Sequence, residues 1–240
     1  MNAQADSEHR RAQLAASLGQ VRARVATACE VSGRHRREIT LVAVTKTFPA
    51  TDVIALAALG VRDIGENRDQ EAAPKAAEVA AAGVDVRWHF VGQLQRNKCK
   101  SVVQYADLVH SVDRPSIVDA LDQAAEAHRD SPLDVLVQVG LDDDPGRGGV
   151  PPEDLAGLAA AVAGRASLRL RGLMAIAPLG VDPEPAYERL ARLHAELRRD
   201  HPDATVLSAG MSGDLESAIR HGATHVRVGT ALLGSRPMLG

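Results

Sequence analysis

Beyond residue 33 the chain alternates, eight times over, a short apolar run of β type with an Ala/Leu-rich stretch of helical pattern, and this alternation restricts it to very few folds. The runs are ITLVAVTK, VRDIGEN, VRWHFVG, LVHSVD, LDVLVQVGL, LRLRGLMAIA, ATVLSAGMS and THVRVGTALL. Strands that alternate with helices need right-handed parallel crossovers, and eight of them in roughly 200 residues fit a closed (β/α)₈ TIM barrel better than an open sheet. The competitor is a doubly wound sheet, but no GxGxxG follows the first strand, where a dinucleotide fold carries its phosphate turn. Helix punctuation agrees: Pro49 to Asp52 opens a segment that Gly60 stops, and Pro115 opens another. Pro74, inside the segment after strand two, is expected to kink or split that helix. Leu14, Leu18, Val21 and Val25 form one helical stripe, which predicts an extra N-terminal helix over about 7–31. No composition break or linker appears, so residues 1–240 read as one domain with its barrel over about 39–236.

Composition removes several function classes. A net charge of −3 and 2 % aromatic residues offer neither the basic stripe nor the stacking platforms of a nucleic-acid surface. No apolar stretch reaches membrane-spanning length, and MNAQADSEHRR has no apolar block of a secretory signal, so no membrane role and a cytoplasmic location are expected. Cys29 and Cys99 are far apart, and the nine histidines lack HxxxH or HxH spacing, so no metal site is expected.

With the strands laid out, the polar residues that interrupt them gather at their C-terminal ends: Lys46 closes strand one, Glu66 and Asn67 close two, Ser111 and Asp113 end four, Ser208 to Ser212 end seven, and Arg227, Gly229 and Thr230 end eight. His89 lies on strand three and Met174 near the end of strand six. Active sites of such barrels form on that face, and the loops after strands seven and eight commonly hold a phosphate group. In SAGMSGDLESAI, Gly210 and Gly213 permit close backbone approach and Ser212 precedes a short helix, while VRVGTALLG gives a second small-residue turn. Ser212 could equally be a plain N-cap. Lys46 could snorkel into solvent, or, partly desolvated, react through its amine with an aldehyde. An aldehyde that carries a phosphate suggests pyridoxal 5′-phosphate or a phosphorylated sugar. Arg227 at a pyridine nitrogen would leave the ring unprotonated and a weak electron sink; its competing role is an ion pair with a surface carboxylate. Asn67 could bond a ring oxygen or cap the next helix. His89 reads as a packed, hydrogen-bonded strand residue more than a proton shuttle. The loop at 142–149, DDDPGRGG, places Arg147 within reach of an anion.

LVAVTKTFPA, IGENRDQE, WHFVGQLQRNK, RGLMAIAP, LSAGMSGDLESAI and VRVGTALLG, in this order over residues 39–236, resemble the motifs of the pyridoxal phosphate homeostasis protein family, also called the YggS/PROSC family. The resemblance implies a fold-type III barrel like the N-terminal domain of alanine racemase, with pyridoxal phosphate (PLP) held as an imine on Lys46. It also implies phosphate contacts at Ser212, Gly229 and Thr230 and an approach of Arg227 to the cofactor. Two positions depart from the family pattern: Arg68 stands where an aromatic is common, and Arg147 where a lysine is. Alanine racemase draws a catalytic tyrosine from a second domain, whereas Tyr105 and Tyr187 here fall in helical segments. The expectation is a carrier without robust catalysis, acting in PLP homeostasis, with apo PLP-dependent enzymes as transient acceptors, and monomeric. A single-domain PLP-dependent racemase is the alternative, ahead of a Schiff-base aldolase and a plain interaction scaffold.

Overall fold

A computed structural model describes residues 3–142 and 148–234 of the chain. Eight parallel strands close into a barrel in sequence order: β1 (Thr40–Val44), β2 (Asp63–Glu66), β3 (Arg87–Phe90), β4 (Leu108–Val112), β5 (Leu133–Gln138), β6 (Leu168–Met174), β7 (Val206–Ser208) and β8 (His225–Val228). Closure comes from β8 pairing with β1, Val42 opposite Arg227. Helices on the outside cover the strands, so runs such as Leu41 to Val44 and Leu108 to Val112 are buried on both faces, the pattern that parallel sheets impose.

Before β1 stands α1 (Ala3–Val31), the crossovers are α2 (Ala50–Ala58), α3 (Asp69–Ala81), α4 (Cys99–Tyr105), α5 (Pro115–His128), α6 (Leu155–Ala163), α7 (Glu184–Asp200) and α8 (Leu215–Arg220), and α9 (Thr230–Leu233) follows β8. The expected stripe on α1 packs inward: Leu14, Leu18, Val21 and Val25 are buried in one core with Leu41, Val53 and Leu215. Its arginines then reach across to neighbouring loops. Arg10 pairs with Asp52 at 2.6 Å and donates to the Leu233 carbonyl at 3.1 Å. Arg24 pairs with Glu216 and donates to the Ser212 carbonyl at 2.9 Å. Thus α1 ties down the chain after β7 and β8.

Three sequence expectations need correction. The helix α3 runs unbroken through Pro74, because a proline in its second turn removes one hydrogen bond while Ala72, Ala76 and Val79 keep the same face buried. The last run, THVRVGTALL, is not one strand: Gly229 turns the chain, and Leu232 and Leu233 donate to its carbonyl at 2.9 Å to start α9. Strand β1 stops at Val44 rather than Lys46. Arg147 lies outside the described residues.

The barrel interior is partly polar. Leu108, Leu136 and Met174 form a small apolar cluster. Nearby stand three imidazoles, with ring centroids 5.1 Å apart for His89 and His110, 6.0 Å for His89 and His225, and 6.5 Å for His110 and His225. Burial holds the His110 pKa well below its ordinary value and that of His225 at about 4, and it also lowers that of His194, on the buried face of α7. Folded, these groups stay neutral where the unfolded chain takes up protons. Their contribution to stability is therefore complete above about pH 6.5 and shrinks toward pH 4, by up to about 1.4 kcal/mol per pH unit per imidazole. Urea midpoints measured between pH 7.5 and 4.5 should fall with acidification, and less steeply in a His194→Asn variant.

Candidate functional site

The carboxyl ends of the strands surround a cavity of about 550 Å³, and Lys46, Asn67, Ser212, Arg227, Gly229 and Thr230 all line it. These six residues come from the ends of four strands, β1, β2, β7 and β8, so only a closed sheet gathers them.

Lys46 sits in the turn that leaves β1, half-buried. The next residue, Thr47, takes φ 67°, a left-handed conformation that a β-branched residue adopts at a cost of about 1–3 kcal/mol. Glu71 holds it there by accepting the Thr47 N–H at 3.0 Å. Behind the turn is a buried polar strut. The Thr45 hydroxyl donates to Glu66 Oε1 at 2.6 Å, and Lys75 Nζ donates to Glu66 Oε1 at 2.5 Å and to the Thr45 carbonyl at 2.9 Å. Desolvation raises the Glu66 pKa against the pull of Lys75 and Thr45. No local pattern announces this strut, because Lys75 on α3 has the spacing of an ordinary helix lysine. Removing its ammonium with Lys75→Met leaves Glu66 without a counter-charge. That should cost about 3 kcal/mol at pH 7 and less as the pH falls, because burial favours the neutral form of the Glu66 carboxyl, as read by urea unfolding.

Asn67 does not cap α3, whose N-cap is Arg68. Its Oδ1 is buried without a partner among the described residues, and the residue faces the cavity. Its backbone carries a second constraint. A Cβ on Gly92 would lie 2.1 Å from the Asn67 carbonyl oxygen, so only glycine lets the turn after β3 pass.

Across the mouth the two glycine-containing loops meet, with the Ala231 N–H donating to Ser212 Oγ at 3.3 Å. Ser212 does not directly precede a helix, contrary to expectation. Asp214 is the N-cap of α8, and its carboxylate accepts the Met211 N–H at 2.6 Å and the Tyr187 hydroxyl at 2.7 Å. Asp214, its carboxylate held by Tyr187 and the Met211 N–H, stands at the N-cap position, and Ser212 is left at the cavity wall. Thr230, the first residue of α9, has no intrahelical acceptor for its N–H. Gly210, at φ 88°, lies with its Cα against α8, where an added Cβ would come 2.6 Å from Ala218 Cβ.

Arg227 is 5 % exposed and forms no ion pair among the described residues. The expected alternative of a surface salt bridge is therefore overturned: Nη1 donates to Ser208 Oγ at 2.7 Å and Nη2 to the Ala175 carbonyl at 2.9 Å. Desolvation lowers its pKa to about 10, so it remains a cation at neutral pH. His89, buried and bonded to Asp63 and His110, is the packed strand residue expected and does not line the cavity. Arg68 is exposed and pairs with Glu71.

These residues fit PLP. An amine stands at one wall, an amide oxygen without a partner among the described residues and a guanidinium without an ion pair among them stand at others, and two loops with small residues close the mouth. Among the described residues no cluster of side chains could hold a metal ion, and no helix is long and apolar enough to cross a membrane.

Comparison with known proteins gives a consistent answer. Residues 17–237 match the family described as alanine racemase, N-terminal domain. The pyridoxal phosphate homeostasis protein of Mycobacterium leprae is 48 % identical over 240 residues, covering 94 % of this chain and 93 % of that one. The structure of PipY from Synechococcus elongatus with PLP bound superposes with a TM-score of 0.80 at 34 % identity, covering 92 % of this chain and all of PipY. Alanine racemase from Corynebacterium glutamicum shares the fold, with a TM-score of 0.66 at 16 % identity, and the match covers 93 % of this chain but 62 % of the racemase. The chain belongs to the alanine racemase N-terminal domain family, among the pyridoxal phosphate homeostasis proteins.

Proposed function

We propose that the chain holds PLP in this cavity as a single barrel unit and serves PLP homeostasis by keeping the cofactor and passing it on. The observation that carries this reading is the convergence of Lys46, Asn67, Ser212, Arg227, Gly229 and Thr230 on one cavity of about 550 Å³. The PLP-bound relative PipY and the homeostasis proteins that cover nearly the whole chain support it.

When bound, PLP supplies an aldehyde that condenses with a primary amine and a pyridine ring that can accept electron density. Lys46 provides the amine. Ser212, Gly229 and Thr230 provide the small-residue mouth that receives a phosphate, with the positive end of a helical turn beside it. Asn67 provides a polar contact on the ring's edge. Arg227, a cation with no proton to give up at neutral pH, would stand at the pyridine nitrogen and keep it unprotonated. The ring is then a poor sink for a carbanion, which disfavours transamination and decarboxylation.

Among the described residues neither tyrosine supplies a second proton carrier at the cavity. Tyr187 donates its hydroxyl to Asp214, and burial pushes its pKa far up. Tyr105 ends α4, and burial pushes its hydroxyl the same way. Neither lines the cavity. A missing acid/base group removes a factor of roughly 10²–10⁴ from a racemase mechanism, so binding and release, rather than turnover, are what the geometry favours. Apo PLP-dependent enzymes are the natural acceptors of the released cofactor. The protein acts as a monomer in the cytoplasm.

Purified protein incubated with PLP should turn yellow. Borohydride should then fix the cofactor to one peptide, the one that contains Lys46, and Lys46→Ala should abolish both signals. A label on another lysine, or racemisation of an amino acid at ordinary enzymatic rates, would contradict the carrier role.

A further inference from the structure

Four hydrogen bonds run in series across the barrel interior, and only their end at Arg227 touches the cavity. Arg227 Nη1 stands 2.7 Å from Ser208 Oγ, Ser208 Oγ 2.9 Å from His110 Nδ1, His110 Nε2 2.9 Å from His89 Nδ1, and His89 Nε2 2.9 Å from Asp63 Oδ1. Five strands contribute one residue each: β8, β7, β4, β3 and β2. Ser208 and His110 are fully buried and His89 nearly so. Only Asp63, with a side chain 19 % exposed, approaches solvent.

The two ends fix the direction of the series. A guanidinium has donors only, and a carboxylate has acceptors only. Ser208 Oγ must therefore accept from Arg227, which frees its own hydrogen for His110 Nδ1. His110 then carries its hydrogen on Nε2 and gives it to His89 Nδ1, and His89 carries its hydrogen on Nε2 and gives it to Asp63. Every hydrogen finds an acceptor.

The opposite direction fails at both ends. It would set a bare His89 Nε2 against the Asp63 carboxylate, or else require a charged His89. In either case the Ser208 hydroxyl hydrogen would have no acceptor in a closed interior, where an unpaired polar group is costly. Burial and the neighbouring Arg227 and histidines keep His110 neutral. Burial pushes the Asp63 carboxyl up, but the hydrogen bond from His89 together with the electrostatic pull of His89, Arg87 and His225 brings it below its ordinary value, so Asp63 is the ionised terminal acceptor. His225 stands beside the series and bonds Thr224 instead.

We propose that His110, His89 and Asp63 are positioning residues for Arg227. In this role the one-way chain of donors holds the guanidinium at the cavity wall, with Asp63 setting the direction and both imidazoles carrying hydrogen on Nε2. The proposal rests, for its functional consequence, on the reading of Arg227 as the partner of the PLP pyridine nitrogen. It makes the aim of that cation depend on a carboxylate that never meets the cofactor.

The test uses ¹⁵N NMR of the histidines in the ligand-free chain together with PLP titration. In the wild type, His110 should be protonated on Nε2 and bare on Nδ1 at neutral pH. Asp63→Leu removes the terminal acceptor and leaves the His89 Nε2–H without one, so the series should lose its single direction and part of the His110 hydrogen should move to Nδ1. PLP affinity should then drop by about 3- to 10-fold, the effect of one misdirected hydrogen bond, with a shifted absorption maximum. Asp63→Asn keeps an acceptor oxygen and should restore both the tautomer and the affinity. If Asp63→Leu does not fold, Ser208→Ala cuts the series beside Arg227 and should lower PLP affinity by a similar factor. An Nδ1-protonated His110 in the wild type, an unmoved tautomer in Asp63→Leu, or unchanged PLP affinity in Asp63→Leu or Ser208→Ala would overturn the proposal. A wild type with the expected tautomer but no PLP binding would overturn the cofactor reading and the positioning role with it, while leaving the hydrogen-bond direction measured.

Discussion

Closure of the sheet by the pairing of β8 with β1 is the constraint on which the rest of this structure depends. In an open sheet the turn after β1 and the loop after β8 would lie at different places along an edge. In the barrel they are neighbours, and a lysine, a guanidinium and two glycine-containing loops share one cavity. Parallel direction matters as much as closure. Because all strands run the same way, everything that follows a strand emerges on the same rim, and the chain needs no further element to bring those groups together.

That rim is built on polar burial that a purely apolar barrel would avoid. Arg227 is a buried cation bonded to a hydroxyl and a carbonyl rather than to a carboxylate, and Glu66 is a buried carboxylate bonded to Lys75 and Thr45. Such groups add little net stability, because desolvation consumes most of the attraction. They specify geometry instead. The Glu66 strut supports the turn at Lys46, which Glu71 holds in an unfavourable backbone conformation. The two ends of the cavity, amine and guanidinium, are therefore each fixed from behind by buried polar contacts.

Much of this was legible in the residue order. An apolar run that ends in lysine, two glycine-bearing turns and a late arginine announce themselves against strands that are otherwise Val, Leu and Ile, and the repetition of strand and helix gives the barrel. What stayed hidden depends on contacts between residues distant in sequence. Ser208 meets His110 across 98 positions and Arg24 meets the Ser212 carbonyl across 188, and no local pattern encodes either. His110 in LVHSVD looks like any strand residue. Ser212 and Asp214, two residues apart, are both good N-cap types, and local sequence does not distinguish them, whereas the Asp214 carboxylate is held by Tyr187 from α7. Pro74 misled because a helix tolerates the loss of one early bond when its buried face is intact.

The grip of α1 on the far loops has a thermodynamic corollary. Arg24 holds the Ser212 carbonyl and Arg10 the Leu233 carbonyl, so the first helix stiffens both sides of the cavity mouth from outside the barrel. Coupling of this kind is reciprocal. An occupant that bridges Ser212 and Thr230 must tighten the seat of α1 by the same free energy that a seated α1 lends to its retention, and the amino-terminal helix thereby becomes a gauge of whether the barrel is loaded.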